Sequence, residues 1–337
     1  MDTTGILKSL TLRKDLNAKQ TAAFLTEVIH GTVLPSQLGA ALMGLKMKGE
    51  TPNEILGFVR TMRTHMIHVN LPDAIDVCGT GGDGSGTFNV STAVSFVVAG
   101  AGIRVAKHGN RAASSQCGSA DVLEELGVNL NLTPFQAKKT YEKVGMVFLF
   151  APIYHSSLKN AVEVRKQLKI PTVFNILGPF ANPSSVKKQM IGVPRPEIVE
   201  KLSDVARHLH YDHLLIVSSE DGLDELSVSS DSIVYEIKKS QVKSYKVNPT
   251  DYGFKKTDRS DILGSTKKEN AEIIKEILDG KKSTKRDIVL LNSAFALYVA
   301  GLSSNVKKGI RLAEKSIDSG KAKSVLQKLV QESQKYA

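Results

Sequence analysis

The chain has 337 residues, a length that suggests about two domains and a substantial core. Hydrophobic residues make up 41% and charged residues 23%, an ordinary globular balance, and no apolar run approaches the roughly 20 residues that span a bilayer. The net charge is +11, from 45 Lys and Arg against 34 Asp and Glu, but no nucleic-acid motif accompanies it, and with 6% aromatics and no Trp a stacking platform for single strands is unsupported.

The lysine excess, densest near Lys321, Lys323, Lys328 and Lys335, reads as a solvated surface with mild steering of anionic substrates. The N-terminus lacks the apolar core and small-residue cleavage site of a secretory signal. Cys78 and Cys117 cannot make a disulfide framework, so a cytoplasmic setting is expected.

The first 70 residues read as helices. Asn17 caps a helix whose Phe24, Leu25, Val28 and Ile29 recur at helical spacing, and Gly31 stops it. Leu38, Ala41, Leu42 and Leu45 repeat the pattern up to Gly49. Thr51-Pro52-Asn53-Glu54 is a capping box with proline at the first helical position, followed by the stripe Ile55, Val59, Met62 and Met66. This is a small helical bundle, and any stripe left exposed could be a dimer face.

The pattern changes at Asp73. Ala74 to Cys78 reads as a strand, followed by a glycine-rich loop, a helix from Val90 to Ala99 and a strand from Ile103 to Ala106. A helix at Ser119 to Leu126, another opened by Thr133-Pro134, and a strand at Met146 to Phe150 follow. Farther on come a helix at Glu197 to His208 and strands at Leu214 to Val217 and Ile233 to Ile237. Helices at Asn270 to Leu278, Ile288 to Val299 and Val306 to Ser319 close the chain. Alternation of strands and helices predicts an α/β fold with a central, mostly parallel sheet, whose loops at the strand C-termini carry function. Prolines 171, 179, 183, 194 and 196 mark crossings between domains. The predicted division is a helical domain at 1–70, joined by about 155–178, and an α/β domain at 73–154 and 179–337.

The loop at 78–92 places four glycines in six positions after a strand, so backbone amides can approach an anion closely. Asn89, Ser91 and Thr92 then lie at a helix N-terminus, where amides, hydroxyls and the dipole favour phosphate. The next strand delivers Lys107, His108 and Arg111 to the same sheet edge. Gly79-x-Gly81-x-x-Gly84 matches the dinucleotide fingerprint by pattern. However, the loop does not open directly into a helix, and the second strand ends in Lys107 and His108 rather than an acid. A phosphate-binding Walker loop fails for want of a lysine between Gly79 and Thr92. Asp83 would repel a bare phosphate group, a conflict that magnesium removes. Asp224-Glu225, after the strand ending at Val217, suits a cation that prefers one or two carboxylates plus phosphates and water. By itself that pair also reads as a solvated acidic turn. His208, His210 and His213 diverge in direction across a helix end and a strand start and do not make a zinc site.

Taken together, Gly-Thr-Gly-Gly-Asp at 79–83, Asn-Val-Ser-Thr at 89–92, Lys-His-Gly-Asn-Arg at 107–111 and Gly-Ser-Ala-Asp-Val-Leu-Glu at 118–124 resemble the anthranilate phosphoribosyltransferase family. Phe-Asn-Ile-Leu-Gly-Pro at 174–179, Asp-Gly-Leu-Asp-Glu at 221–225 and Met-Lys-Gly-Glu-Thr at 47–51 extend the resemblance over most of the chain. It departs from the family at His155-Ser156-Ser157-Leu158, where His-Pro-Ala-Met is common, and at Pro171, where Arg is common.

The resemblance implies an architecture like that of nucleoside phosphorylases and phosphoribosyltransferases. It implies transfer of the phosphoribosyl group of phosphoribosyl pyrophosphate (PRPP) to the amine of anthranilate, a step in tryptophan biosynthesis. Gly79, Gly82, Asp83, Thr87, Asn89, Val90, Ser91 and Thr92 would line the donor. So would Lys107, His108, Gly109, Asn110, Arg111, Ala112, Ala113, Ser114, Ser115 and Ser119. Ser91 would ligate one Mg2+ ion, and Asp224 with Glu225 a second, giving two per subunit. Arg165 would grip the anthranilate carboxylate, with Gly79, Asn110 and His155 beside it. His155 reads as a wall or a proton acceptor, and no acid or base is essential because an aromatic amine is neutral at pH 7. The expected partners are these two small molecules, with no nucleic acid or membrane, and the assembly a homodimer through the helical domain. Two alternatives are a related nucleoside phosphorylase, for which the chain is short, and a non-catalytic nucleic-acid-binding relative.

Overall fold

The structure is a computed structural model that describes residues 2–81, 84–112 and 116–337. Four helices open the chain: α1 (Thr3–Thr11), α2 (Ala18–His30), α3 (Pro35–Lys48) and α4 (Pro52–His65). The local signals act as read. Asn17 and Gln20 form a capping box on α2, Gly31 ends it in the left-handed region, and Thr51 and Glu54 cap α4 reciprocally. Glu54 is fully buried and accepts from Leu16 N (2.8 Å), Thr51 N (2.8 Å) and Lys48 Nζ (2.9 Å), so one carboxylate ties three segments of the bundle.

The α/β region runs β1 (Ile75–Gly79), α5 (Val90–Gly100), β2 (Val105–Gly109), α6 (Ser119–Glu125), α7 (Pro134–Val144), β3 (Met146–Phe150) and α8 (Ala151–Tyr154). After α9 (Lys159–Leu168) and α10 (Phe174–Leu177) come β4 (Lys188–Gly192), α11 (Pro196–Arg207), β5 (His213–Ser219), β6 (Ser232–Lys238) and β7 (Gln241–Val247). The chain ends in α12 (Lys267–Leu278), α13 (Thr284–Ala300), α14 (Val306–Asp318) and α15 (Lys321–Gln334). Among the described residues the strands form one seven-stranded sheet of order β3-β2-β1-β4-β5-β6-β7. All pairs are parallel except β5–β6 and β6–β7.

Alternation along the strands feeds two apolar layers, because successive side chains of a strand point to opposite faces. Ile75, Val77, Met190, Leu215 and Val217 face one core with α5, α12, α13, α14 and α15. Cys78, Ile191, Leu214 and Ile216 face another, which is continuous with α11 and the helical bundle. Ala161 and Val164 of α9, with Phe174 and Leu177 of α10, join that second layer. A parallel sheet covered on both faces is thereby satisfied.

Four elements differ from the sequence reading, one of them α15, which follows the last expected helix. β2 begins and ends later than the expected Ile103 to Ala106, and Lys107 and His108 are buried within it. β4 lies within the proline-marked crossing, where buried Gln189 breaks the apolar run. β7 is an exposed edge strand paired through a two-residue turn at Lys239 and Ser240, both at positive φ without the usual Asn-Gly signal.

Strand order reverses its direction of growth at β1, which has β2 on one side and β4 on the other. Open α/β sheets bind ligands outside the strand C-termini at such a switch point. Gly79 and Gly192, the last residues of β1 and β4, are register partners there.

Candidate active site

The switch point is filled by the loop after β5. A Cβ on Gly79 would lie 2.1 Å from Asp224 Oδ2, and one on Gly192 would lie 1.5 Å from the Asp224 carbonyl oxygen. Two glycines on adjacent strands thus admit the Asp224 backbone and carboxylate. Asp224 Oδ2 accepts from Gly81 N (2.9 Å), and the neighbouring Glu225 Oε1 accepts from Ser91 N at the start of α5 (3.1 Å). The acidic pair is therefore not a solvated turn: Glu225 is buried, and both carboxylates sit against the glycine loop.

The loop itself turns through Gly81, Gly84 and Gly86 at φ of +68°, +64° and +69°. Thr87 is tied to Ser85 through its hydroxyl (3.0 Å). Val90 and Thr92 are buried, and the Val90 side chain belongs to the core, so only its backbone could meet a ligand. Gly82, Asp83, Ala113, Ser114 and Ser115, all expected in the donor lining, lie outside the described residues.

Lys107 is 1% exposed. Its Nζ donates to Val77 O (2.7 Å) and Ser91 Oγ (3.2 Å), which places the ammonium between β1 and the start of α5. Burial pushes its pKa down; Asp76 most strongly, then Cys78, Glu225 and Asp224, push it back up. Asp76 is itself held in a buried network, accepting from His108 N (3.2 Å), Asn182 Nδ2 (2.8 Å) and Gln189 Nε2 (3.2 Å). Gln189 accepts from Tyr211 OH (2.9 Å), which accepts from Arg63 of α4 (3.0 Å). This chain of bonds joins the helical bundle to the site, and of it the sequence offered only an acid within an apolar strand.

Gly109 ends β2. Asn110 Oδ1 accepts from Arg111 N (2.8 Å), and its carbonyl accepts from the Ser119 hydroxyl (3.3 Å). The Arg111 guanidinium pairs with Glu124 (2.8 Å) and Asp121 (3.0 Å), and Ala112 N donates to Asp121 (3.0 Å). Arg111 thus braces the loop on α6, with its charge already balanced.

His108 and His155 meet with ring centroids 5.1 Å apart. Burial pushes His155 down to about 4; burial, then His155, push His108 well below the usual histidine range. Both rings are therefore neutral at physiological pH. Arg165 of α9 lies over the Phe174 ring at 5.0 Å and is half-buried; among the described residues no carboxylate pairs with it.

Residues 71–323 match the α/β domain of the glycosyl transferase family, and residues 4–66 match its helical bundle domain. An anthranilate phosphoribosyltransferase of Symbiobacterium thermophilum is 45% identical over 327 residues, 96% of each chain. The crystal structure of such an enzyme from Thermus thermophilus superposes with a TM-score of 0.91 at 34% identity, covering 98% of this chain and 99% of that one. The Saccharomyces cerevisiae enzyme, solved in complex with PRPP and Mg, gives a TM-score of 0.91 at 28% identity, covering 99% and 98%. The chain belongs to the anthranilate phosphoribosyltransferase family.

The residues present fit the magnesium that this family implies. The Ser91 hydroxyl and the Asp224 and Glu225 carboxylates are hard oxygen donors drawn to one loop. Among the described residues no cluster of three His, Cys, Asp or Glu makes a closed cage. Magnesium takes few protein ligands and completes its shell with phosphates and water, so this open set suits an anthranilate phosphoribosyltransferase.

Proposed function

We propose that the chain transfers the phosphoribosyl group of PRPP to the amine of anthranilate, giving N-(5-phosphoribosyl)anthranilate and pyrophosphate. The observation that carries the mechanism is the switch point itself, where the glycine loop, Lys107 and the Asp224–Glu225 pair converge. The site residues expected from the sequence take their roles there as follows.

The reaction breaks the bond from ribose C1 to pyrophosphate, whose oxygen keeps the electron pair, and forms a bond from C1 to the amine nitrogen, which sheds one proton. Loop amides and the α5 N-terminus hold the pyrophosphate, and Lys107 supplies a buried positive charge toward its departing oxygens. Ser91, Asp224 and Glu225 would hold magnesium, two ions per subunit, whose chemistry is to neutralise the pyrophosphate charge. Arg165 grips the anthranilate carboxylate with its planar guanidinium, and Phe174 beneath it fixes the plane. Asn110 and Gly79 flank the amine. His155 is neutral, a weak base, yet the arylammonium formed on attack is a strong acid, so a weak acceptor or water suffices. Alignment of donor and acceptor then supplies much of the rate.

The helical bundle, with α9 and α10 packed on it, forms the smaller domain and carries the acceptor cation toward the sheet. Leu12, Leu34 and Met47 are each exposed on that bundle, through which a homodimer would form. Both cysteines are free thiols, in keeping with a cytoplasmic enzyme. No helix among the described residues is long and apolar enough to cross a membrane.

Anthranilate fluoresces, and its phosphoribosyl product is expected to fluoresce less at the same wavelengths. PRPP added to the folded protein with anthranilate and magnesium should extinguish that signal with multiple turnovers. An unchanged signal would refute the assignment.

A further inference from the structure

The second half of the glycine loop is held by a segment far away in sequence. Gly264 N donates to Gly86 O (2.8 Å), Phe88 N donates to Ile262 O (3.4 Å), and Thr87 and Leu263 form an antiparallel bridge. A Cβ on Gly264 would fall 2.7 Å from Phe88 Cα and 2.2 Å from Asn270 Oδ1, so the segment lies close against both.

Asn270, on α12 and 2% exposed, joins the two. Its Oδ1 accepts from Ser265 N (3.0 Å), and its Nδ2 donates to Asn89 Oδ1 (3.1 Å). Asn89 Nδ2 in turn donates to Cys117 O (3.1 Å), and Asn89 Oδ1 also accepts from Cys117 Sγ (3.4 Å). The two ends of this chain fix its direction. A backbone N–H can only donate and a backbone carbonyl can only accept, so Ser265 N sets the Asn270 amide and Cys117 O sets the Asn89 amide. The two settings agree with each other. Asn89 does not use its side chain to cap α5. Its Nδ2 carries two hydrogens, and among the described residues Cys117 O takes one and no acceptor takes the other.

We propose that Asn270 is a positioning residue for the donor site: it locks the Asn89 amide so that the second Nδ2 hydrogen is presented to an oxygen of PRPP. The inference rests on reading the glycine loop as the donor site. Asn270 touches no substrate and acts through Asn89. In Asn270→Asp the Ser265 bond survives, but an oxygen then faces Asn89 Oδ1. Asn89 must turn its amide, which sets its own oxygen against Cys117 O. The near-isosteric change therefore disturbs the donor site as much as removal of the side chain.

The test is a kinetic comparison of Asn270→Asp, Asn270→Ala, Asn89→Ala and the double variant Asn89→Ala/Asn270→Ala, each with its melting temperature. Asn270→Ala and Asn270→Asp should raise KM for PRPP about tenfold while KM for anthranilate stays within about twofold, a split that a general loss of packing would not give. In the Asn89→Ala background, Asn270→Ala should add less than about twofold, because its route of action is already gone. Two results would overturn the proposal: a folded Asn270→Ala protein with unchanged KM for PRPP, or full additivity in the double variant. If Asn270→Asp fails to fold, the alanine cycle decides alone. A wild-type protein that turns over no anthranilate would refute the functional reading instead, whereas an active wild type with indifferent Asn270 variants would refute only the positioning role.

Discussion

Replacing Gly79 by alanine puts a methyl carbon 2.1 Å from Asp224 Oδ2 and 2.8 Å from its Cγ. Asp224 must retreat by about 1 Å or more to restore an ordinary contact, and its 2.9 Å bond from Gly81 N is lost. A hydrogen bond to a charged group is worth about 1.5–3 kcal/mol, and the overpacking costs a further 1–3 kcal/mol, part of it relieved by the retreat. The net loss at the donor site is about 2–4 kcal/mol, or roughly 30- to 1,000-fold in kcat/KM for PRPP. Because Asp224 is also a magnesium donor in the proposed mechanism, the magnesium concentration for half-maximal rate should rise, as it should in Asp224→Asn. The assay is initial rate against magnesium and PRPP, with melting temperature as the control for folding. Gly192→Ala makes the contrast, since its methyl would meet a backbone carbonyl that cannot rotate away, and its melting temperature should fall further. If Gly79→Ala kept kcat/KM within about threefold and left the magnesium response unchanged, the reasoning about the switch point would be refuted.

Four further outcomes are expected. Arg165→Ala should raise KM for anthranilate about 10- to 100-fold while KM for PRPP changes little, and Arg165→Lys should restore only part of the loss because a bidentate grip is gone; unaltered anthranilate saturation would disprove the acceptor assignment. With His155 held down to about 4 and His108 lower than usual, kcat should be flat from about pH 6 to 8 without a histidine inflection. The same shifts give the stability a sign. Between pH about 4 and 6.5 the unfolded state binds more protons at these rings, so their contribution is full above about 6.5 and is lost as pH falls toward 4, which thermal melts across that window would show. Glu54→Ala leaves Lys48, Leu16 N and Thr51 N without their shared acceptor and should destabilise the bundle by about 3 kcal/mol, read as a lowered denaturation midpoint.

The fold was legible wherever one local signal suffices. Asn17 with Gln20 and Thr51 with Glu54 announce helices because a capping box is complete within four residues. Met146 to Phe150 announces a buried strand because every residue is apolar, and the structure places β3 over the same five residues. Signals failed where polar groups are buried and their partners lie far away. Lys107 reads as a cation at the sheet edge, and only the structure shows Val77 O and Ser91 Oγ holding it buried inside β2. Gln189 disguises β4 because Asp76, Tyr211 and Pro179 O satisfy it from elsewhere in the chain. The glycine loop was conspicuous by composition, yet its bracing by Ile262 to Gly264 and Asn270 leaves no mark within the loop itself. Gly192 lies more than a hundred residues from Gly79, and only parallel pairing of β1 with β4 shows that both make room for Asp224.

Phosphoribosyl transfer is tested by following anthranilate fluorescence and pyrophosphate release in the same reaction, with magnesium and then with excess chelator. One pyrophosphate should appear for each anthranilate consumed, and both signals should stop when the chelator is added. Folded protein that consumes no anthranilate in the presence of PRPP and magnesium, or releases pyrophosphate without consuming anthranilate, would refute phosphoribosyl transfer to anthranilate.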